Sequence, residues 1–257
     1  MTEDSNNTLN MTRMLQWVIL LAPAYVILGA AGLTLAIPPG YASPVFPAAG
    51  FALACGLWFG RGALLAVWIG SALLNLSHAW LGGTLSGATV AVAAVIAAGA
   101  TVQAWLGCYL VNRWQGPAWR QLEREQDVFA FLLLGGVLAG MMSATISVAG
   151  LQLFGVIEPA GAPFTWWNWY VGDVLGILVF APLTLCLLNR QNDLWHERRR
   201  RILAPMLLAL ALVVAAFYGA SQWEQQAQDI QIKASSDKIA ERIDDRLISH
   251  REVLSSL

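Results

Sequence analysis

One apolar stretch decides how this chain folds, and it reads Trp166-Trp-Asn-Trp-Tyr-Val-Gly-Asp-Val-Leu-Gly-Ile-Leu-Val-Phe-Ala-Pro182. It lies within a longer apolar run, residues 164–188, and a helix of about 20 apolar residues is long enough to cross a bilayer. Asp173 stands inside the run, where a charged side chain is costly and therefore tends to have a structural or functional reason. The stretch predicts a transmembrane helix that carries one buried acid.

The composition of the whole chain agrees with a membrane protein. Of its 257 residues, 57% are hydrophobic and 12% are charged, whereas a soluble domain has about 25% charged residues. The net charge of −1 provides no basic field for nucleic acid. The three cysteines stand far apart in apolar runs, which argues against a disulfide framework and a zinc site. We therefore predict an all-α integral membrane protein with no metal or other cofactor and no nucleic-acid partner.

Seven apolar runs match or approach the length of a membrane span. They comprise residues 15–37, 45–59, 63–80, 88–111, 128–154, 164–188 and 202–221. The sequence thus predicts a bundle of seven transmembrane helices. Residues 1–14 precede the first span, and residues 191–201 form a loop between the sixth and the seventh.

The basic residues of the first 223 positions all fall in alternate loops of this arrangement. They are Arg13, Arg61, Arg113, Arg120, Arg124, Arg190, Arg198, Arg199, Arg200 and Arg201. Because basic loops are retained in the cytoplasm, we predict a bacterial inner-membrane protein with a cytoplasmic N-terminus. The cluster from Arg198 to Arg201 is expected to mark topology and to contact anionic lipid; binding of a cytoplasmic regulatory protein is the alternative.

The last part of the chain, residues 222–257, has a different pattern. Its apolar residues recur on one face of a charged helix, at Ile232, Ile239, Ile243, Leu247, Leu254 and Leu257. Such a face must be buried against a partner, and nothing that follows in the chain could cover it. An odd number of spans would place this segment in the periplasm. We interpret it as the truncated start of a periplasmic domain; the alternative is a C-terminal helix that dimerises along its own apolar seam.

The candidate site residues are polar or aromatic side chains within the apolar spans. Asp173 lies about nine residues from the outer end of its run, roughly 13 Å deep at the helical rise. The side chains predicted to surround it from the outer side are Asn75, His78, Gln152, Asn168, Trp166, Trp167, Trp169 and Tyr170. Three interpretations stay open: a polar cluster that fixes helix packing, a pocket for an unknown small ligand, and a proton or ion pathway. No catalytic motif is present, so no catalytic residue is predicted.

Several segments together resemble one family, the type 1 membrane-associated sensor (MASE) domain of bacterial signalling proteins. The resemblance covers about residues 15–190, and its most specific part is the order Gly172-Asp173, Gly176 and Pro182. The other similar segments are Ser43-Pro-Val-Phe-Pro-Ala-Ala-Gly50, Gly60-Arg61, Gly70 with Asn75, Ala104-Trp-Leu-Gly-Cys-Tyr-Leu110, Asp127-Val-Phe-Ala-Phe131 and Ser143-Ala-Thr145. The tail at 222–257 resembles the opening helix of an extracellular CHASE sensory domain.

The resemblance implies a sensory input module for a cytoplasmic output. In this family that output is commonly a diguanylate cyclase or a cyclic-di-GMP phosphodiesterase, and otherwise a histidine kinase; because these outputs work as dimers, a homodimer is expected. A solute transporter or channel is the alternative from another class, although no internal repeat supports it. A membrane enzyme that uses Asp173 with His78 would lack a second carboxylate or a metal set.

Overall fold

A computed structural model of the chain describes residues 2–36, 43–120 and 125–189, and within these ranges all regular structure is helical. Five helical stretches are long and apolar enough to cross a membrane: Met14–Leu33, Arg61–Leu81, Gly87–Gln115, Gln126–Leu153 and Pro159–Leu188. This confirms the all-α membrane class. The predicted seventh span at 202–221, the arginine cluster before it and the tail at 222–257 lie outside the described residues.

Seven α-helices follow one another in the described part of the chain. They are α1 (Thr2–Leu33), α2 (Pro47–Phe59), α3 (Arg61–Leu81), α4 (Gly87–Gln115), α5 (Glu125–Leu132), α6 (Ala139–Leu153) and α7 (Ala162–Leu188). A π-helical turn, Leu133–Leu138, joins α5 directly to α6. For the six predicted spans that fall in the described residues, every boundary except the start of α1 lies within four residues of the observed one. Apolar run length therefore located the helices well.

Helix α1 extends beyond its apolar span. The predicted start of the span at residue 15 agrees with the apolar part of the helix, Met14–Leu33, and the helix itself continues back to Thr2 through polar residues. Once a helix has nucleated, its extension is easier than its start, because each further residue that becomes ordered also forms one backbone hydrogen bond. An apolar span can thus propagate its helix into an adjoining polar segment that has no Gly or Pro to stop it.

Helix α2 is the structural centre of the described bundle, although it is too short to span a bilayer. Its 13 residues extend about 20 Å, against an apolar thickness of about 30 Å. Ten of them are buried, and the helix contacts α1, α3, α4 and α7. A helix that is apolar all round belongs inside a protein, which explains why the shortest run occupies the core.

The extended residues before α2, Ser43 to Phe46, satisfy their polar groups through neighbouring helices. The backbone N–H of Phe46 donates to the carbonyl of Gly172 on α7 at 3.0 Å. The hydroxyl oxygen of Ser43 lies 2.7 Å from the carbonyl oxygen of Gly32 and 2.8 Å from that of Val45. Non-helical backbone at membrane depth is tolerated where protein covers it and supplies such partners. This segment therefore extends the short helix as an integral part of the core.

Glycines allow α7 to approach α2 and this extended segment closely. A Cβ atom added at Gly172 would overlap the carbonyl oxygen of Ser43, and one added at Gly176 would overlap that of Phe46. On the facing helix, a Cβ at Gly50 would overlap the carbonyl oxygen of Gly176. Small residues at such spacing let helix backbones meet in membrane proteins. The close contact fixes the position of Asp173, which lies between the two α7 glycines.

Candidate functional site

A small cavity lies between the helices around Asp173. Its volume is about 40 Å³, room for about three water-sized probes at some 10–15 Å³ each, whereas drug-sized ligands need pockets of at least about 300 Å³. The polar side chains that line it come from α3, α4, α6, α7 and the segment before α2; they are Ser43, Ser71, Asn75, Gln103, Ser143 and Asp173. The cavity therefore suits water or a very small solute.

Asp173 enters the cavity from one face of α7. Trp169, Asp173 and Ile177 all line it, and residues four apart lie on the same side of a helix. Asp173 is only 2% exposed. Ser143 on α6 lines the cavity with it, and the Oδ2 atom of Asp173 has no hydrogen-bond partner in the described part of the chain. One carboxylate oxygen is thus buried without a donor.

Gln103 on α4 is the second buried polar group without full pairing. It is 4% exposed, and its Nε2 atom lacks an acceptor among the described residues. A buried polar group without a partner is uncommon and calls for an explanation such as a bound water or ion. The cavity therefore contains both an unpaired acceptor, Asp173 Oδ2, and an unpaired donor, Gln103 Nε2.

The polar side chains of α3 complete the cavity wall. The Asn75 amide donates through Nδ2 to the backbone carbonyl of Ser71 at 2.8 Å, so its carbonyl oxygen is left as an acceptor. Behind Ser71 lies Tyr25 of α1, which packs against the neighbouring Gly70 and is 1% exposed. Four transmembrane helices, α3, α4, α6 and α7, thus contribute polar groups to one enclosed space, and α1 supports it from behind.

A second cavity of about 70 Å³ extends from the first toward one end of the bundle. The two share Leu33, Asn75 and Ile96 as lining residues. The second is also lined by His78 and by Thr84, which lies in the exposed turn between α3 and α4. The second cavity therefore lies between the exposed α3–α4 turn and the Asp173 cavity, and Asn75 lines both.

The structure brings together only part of the predicted site. Asn75 and Trp169 line the same cavity as Asp173, while His78 lines the adjoining one. Gln152 is exposed, and Asn168 is partly buried but does not line either cavity.

The remaining aromatic residues face elsewhere. Trp166 donates through Nε1 to the Thr145 hydroxyl on α6 at 3.1 Å and stacks on Tyr170 with ring centroids 5.2 Å apart. Trp167 is 58% exposed. Each residue turns the helix by about 100°, so neighbours in sequence point in different directions. The predicted aromatic cluster therefore divides, and Trp169 alone of the four lines the cavity with Asp173.

Sequence reasoning missed Gln103, Ser43, Ser71 and Ser143. Gln103 carried a usable signal, because it is a strongly polar residue in the middle of the apolar run at 88–111 and such residues are expensive there. The serines carried little signal, since small hydroxyl residues are common at helix contacts in membranes. Which serines face Asp173 depends on helix rotation, and the sequence pattern does not define that rotation.

Comparison with known protein families finds one family that matches the chain. The family model of MASE1 matches residues 17–223. The match includes all helices from the membrane part of α1 to α7 and continues through the predicted seventh span. Residues 224–257 lie outside it, and nothing in the comparisons supports a CHASE domain there. Neither a curated protein nor a solved structure matches the chain.

Proposed function

The chain belongs to the MASE1 family of membrane sensory input modules of bacterial signalling proteins, and on this premise we propose that it controls a cytoplasmic cyclic-di-GMP cyclase or phosphodiesterase. A histidine kinase is the alternative output. Both kinds of output work as dimers, so the proposal includes a homodimer. The observation that carries the proposal is the family match over most of the chain.

The site suggests how such a module senses. Its polar groups come from four helices, so an occupant that bridges them alters their relative packing. A ligand shifts an equilibrium between two packings only by its difference in affinity for them, and a difference of a few kcal/mol changes the populations strongly. We propose that occupancy of the Asp173 cavity, reached from the outer side, selects one packing of the bundle.

The π turn at Leu133–Leu138 is the proposed moving part. Its Gly135 lines the cavity, and α5 on its other side places the fully buried Phe131 in a core cluster with Trp119. That cluster also contains Ala49, Leu53 and Ile177, which line the cavity. π turns insert one residue into an α-helix and are frequent at functional sites. A change at the cavity can therefore alter this turn and move α5, which begins at the proposed cytoplasmic end.

Orientation is part of the proposal, with the N-terminus and the turn before α5 in the cytoplasm and the α3–α4 turn outside. In a protein with Cys55, Cys108 and Cys186 replaced by Ala, we expect Ser86→Cys to react with a membrane-impermeant maleimide on intact spheroplasts. Gln126→Cys should react only after lysis. Both positions are exposed, so access to the reagent decides the result. Reversed labelling of the two variants would reject this orientation.

The function is tested by Asp173→Asn in the full protein, with intracellular cyclic-di-GMP as the measurement. The substitution keeps the shape of the side chain but removes its charge, so we expect cyclic-di-GMP to change severalfold in either direction at unchanged protein level. Asp127→Asn is the matched control, because Asp127 is partly exposed on α5 and lies outside the cavity; it should behave as wild type. Loss of solute uptake in Asp173→Asn with unchanged cyclic-di-GMP and kinase output would instead identify a transporter.

A further inference from the structure

We propose that the Asp173 cavity binds a monovalent cation of the size of Na⁺ together with one or two water molecules. The inference rests on the proposed sensory function, because it names the chemical class of the ligand for the same cavity. It is carried by the charge of the cavity, by its oxygen atoms, by the unpaired Gln103 amide and by its volume.

Charge is the first argument. Among the described residues that line the cavity, Asp173 is the single ionisable side chain, and none is Lys, Arg or His. A buried carboxylate without a counter-charge is strongly unfavourable. A proton or one monovalent cation makes the site neutral, whereas a divalent cation would leave an uncompensated positive charge among apolar side chains.

The available ligand atoms are oxygens, the type that hard cations prefer. Asp173 Oδ2 has no donor in the described ranges. The Asn75 amide nitrogen is committed to the Ser71 carbonyl, which leaves the amide oxygen as an acceptor. The single hydroxyl proton of Ser43 is directed to backbone carbonyls, which leaves the lone pairs of its oxygen. These atoms come from α7, α3 and the segment before α2, so a cation between them would join three parts of the fold.

Gln103 indicates that the cation keeps some of its water. The unpaired Nε2 atom of Gln103 is a hydrogen-bond donor and cannot coordinate a cation. A water molecule has two lone pairs, so it can coordinate the cation with one and accept from Gln103 with the other. The volume of about 40 Å³ holds about three such small species, which fits one ion and one or two waters.

The ion also has a route of entry. The adjoining cavity is lined by Thr84 of the exposed α3–α4 turn and shares Asn75 with the Asp173 cavity. Among the described residues its lining contains no Lys or Arg, and His78 is the one ionisable side chain there. A cation that enters from this end is therefore not repelled by an arginine or lysine among the described lining residues.

The test is the thermal unfolding of the purified full chain in detergent, with NaCl replaced stepwise by choline chloride at constant ionic strength. A ligand that binds only the folded state raises the Tm in a concentration-dependent way. We expect the Tm to rise and saturate with Na⁺ but not with choline. Asp173→Asn should lose this rise, while Asp127→Asn should keep it. Ser143→Ala, which leaves the carboxylate in place, should raise the half-saturating Na⁺ concentration about tenfold, equivalent to about 1.4 kcal/mol.

An equal effect of Na⁺ and choline on the wild type would overturn the proposal, and so would a Na⁺ response that survives in Asp173→Asn. If Asp173→Asn does not fold, ²³Na NMR line broadening by the wild type decides instead, and it should weaken in Ser143→Ala. These measurements need no output domain. If Asp173→Asn changes cyclic-di-GMP but the wild type shows no Na⁺ response, the cation proposal is overturned and the sensory function stands. If the wild type responds to Na⁺ but Asp173→Asn leaves cyclic-di-GMP unchanged, the cation proposal stands and the sensory function is overturned.

Discussion

Gly172→Ala and Gly176→Ala are each expected to destabilise the bundle severely. The added methyl group would overlap a backbone carbonyl oxygen, that of Ser43 or that of Phe46, and a backbone atom cannot move aside as a flexible side chain can. Overpacking of a core commonly costs about 1–3 kcal/mol, and we expect the upper end of this range or more. Thermal unfolding monitored by fluorescence-detected size exclusion should show a Tm lower by about 6–12 °C, or little folded protein.

The matched controls are Gly161→Ala and Gly87→Ala. An added Cβ at either position meets nothing within 4 Å, and neither glycine has a positive φ. These two variants should unfold at the wild-type temperature. If Gly172→Ala were as stable as Gly161→Ala, α7 would not approach the segment before α2 as closely as described, and the placement of Asp173 would need revision.

Deletion of Leu133 is expected to leave the fold intact and to abolish regulation. A π turn contains one residue more than an α-helical turn, so removal of one residue converts Leu133–Leu138 into regular α-helix and keeps α5 and α6 in their places. Leu133 is 37% exposed and does not line the cavity, so no site residue is lost. A switch requires an element with two arrangements. A regular α-helix at this position has one arrangement, so the deletion variant should no longer switch.

The measurement combines this deletion with Asp173→Asn. In the wild-type background, Asp173→Asn should change intracellular cyclic-di-GMP, as argued above. In the Leu133-deleted background, the same substitution should change cyclic-di-GMP by at most about a quarter of the original effect, because coupling between the two sites is lost. Deletion of Met142 in the regular α6 is the control and should damage folding. An Asp173→Asn effect of the same size in both backgrounds would reject the π turn as the coupling element.

The helices could be predicted because membrane insertion depends on local sequence. Residues 88–111 and 164–188 were assigned as spans from apolar length alone, and they correspond closely to α4 and α7. The predicted start of the first span at residue 15 agrees with Met14, whereas the polar extension of α1 back to Thr2 has no apolar signal in the sequence. The seventh span, the dimer, the orientation and the periplasmic tail stay predictions.

The site could be predicted only in part, for a geometric reason. Asp173 and Asn75 were identified from the cost of polar groups in apolar runs, and both line the cavity. Trp166 and Tyr170 were grouped with Asp173 because they are near in sequence, yet they pack on α6. Gln103 is costly in an apolar run for the same reason as Asp173, but its position in the same cavity as Asp173 arises from the arrangement of α4 and α7.

The sequence by itself determined that this is a helical membrane protein, where its described helices lie, and that Asp173 is its exceptional buried acid. These properties depend on the free energy of transferring single residues and short runs from water into an apolar layer. Composition and run length are sufficient to estimate that free energy. The tertiary structure alone decided that α2 is the core, that Gly172 and Gly176 admit the Ser43–Phe46 segment, and that Asp173 and Gln103 share one cavity. Such properties depend on helix rotation and backbone separation, which are set by contacts between residues distant in the chain.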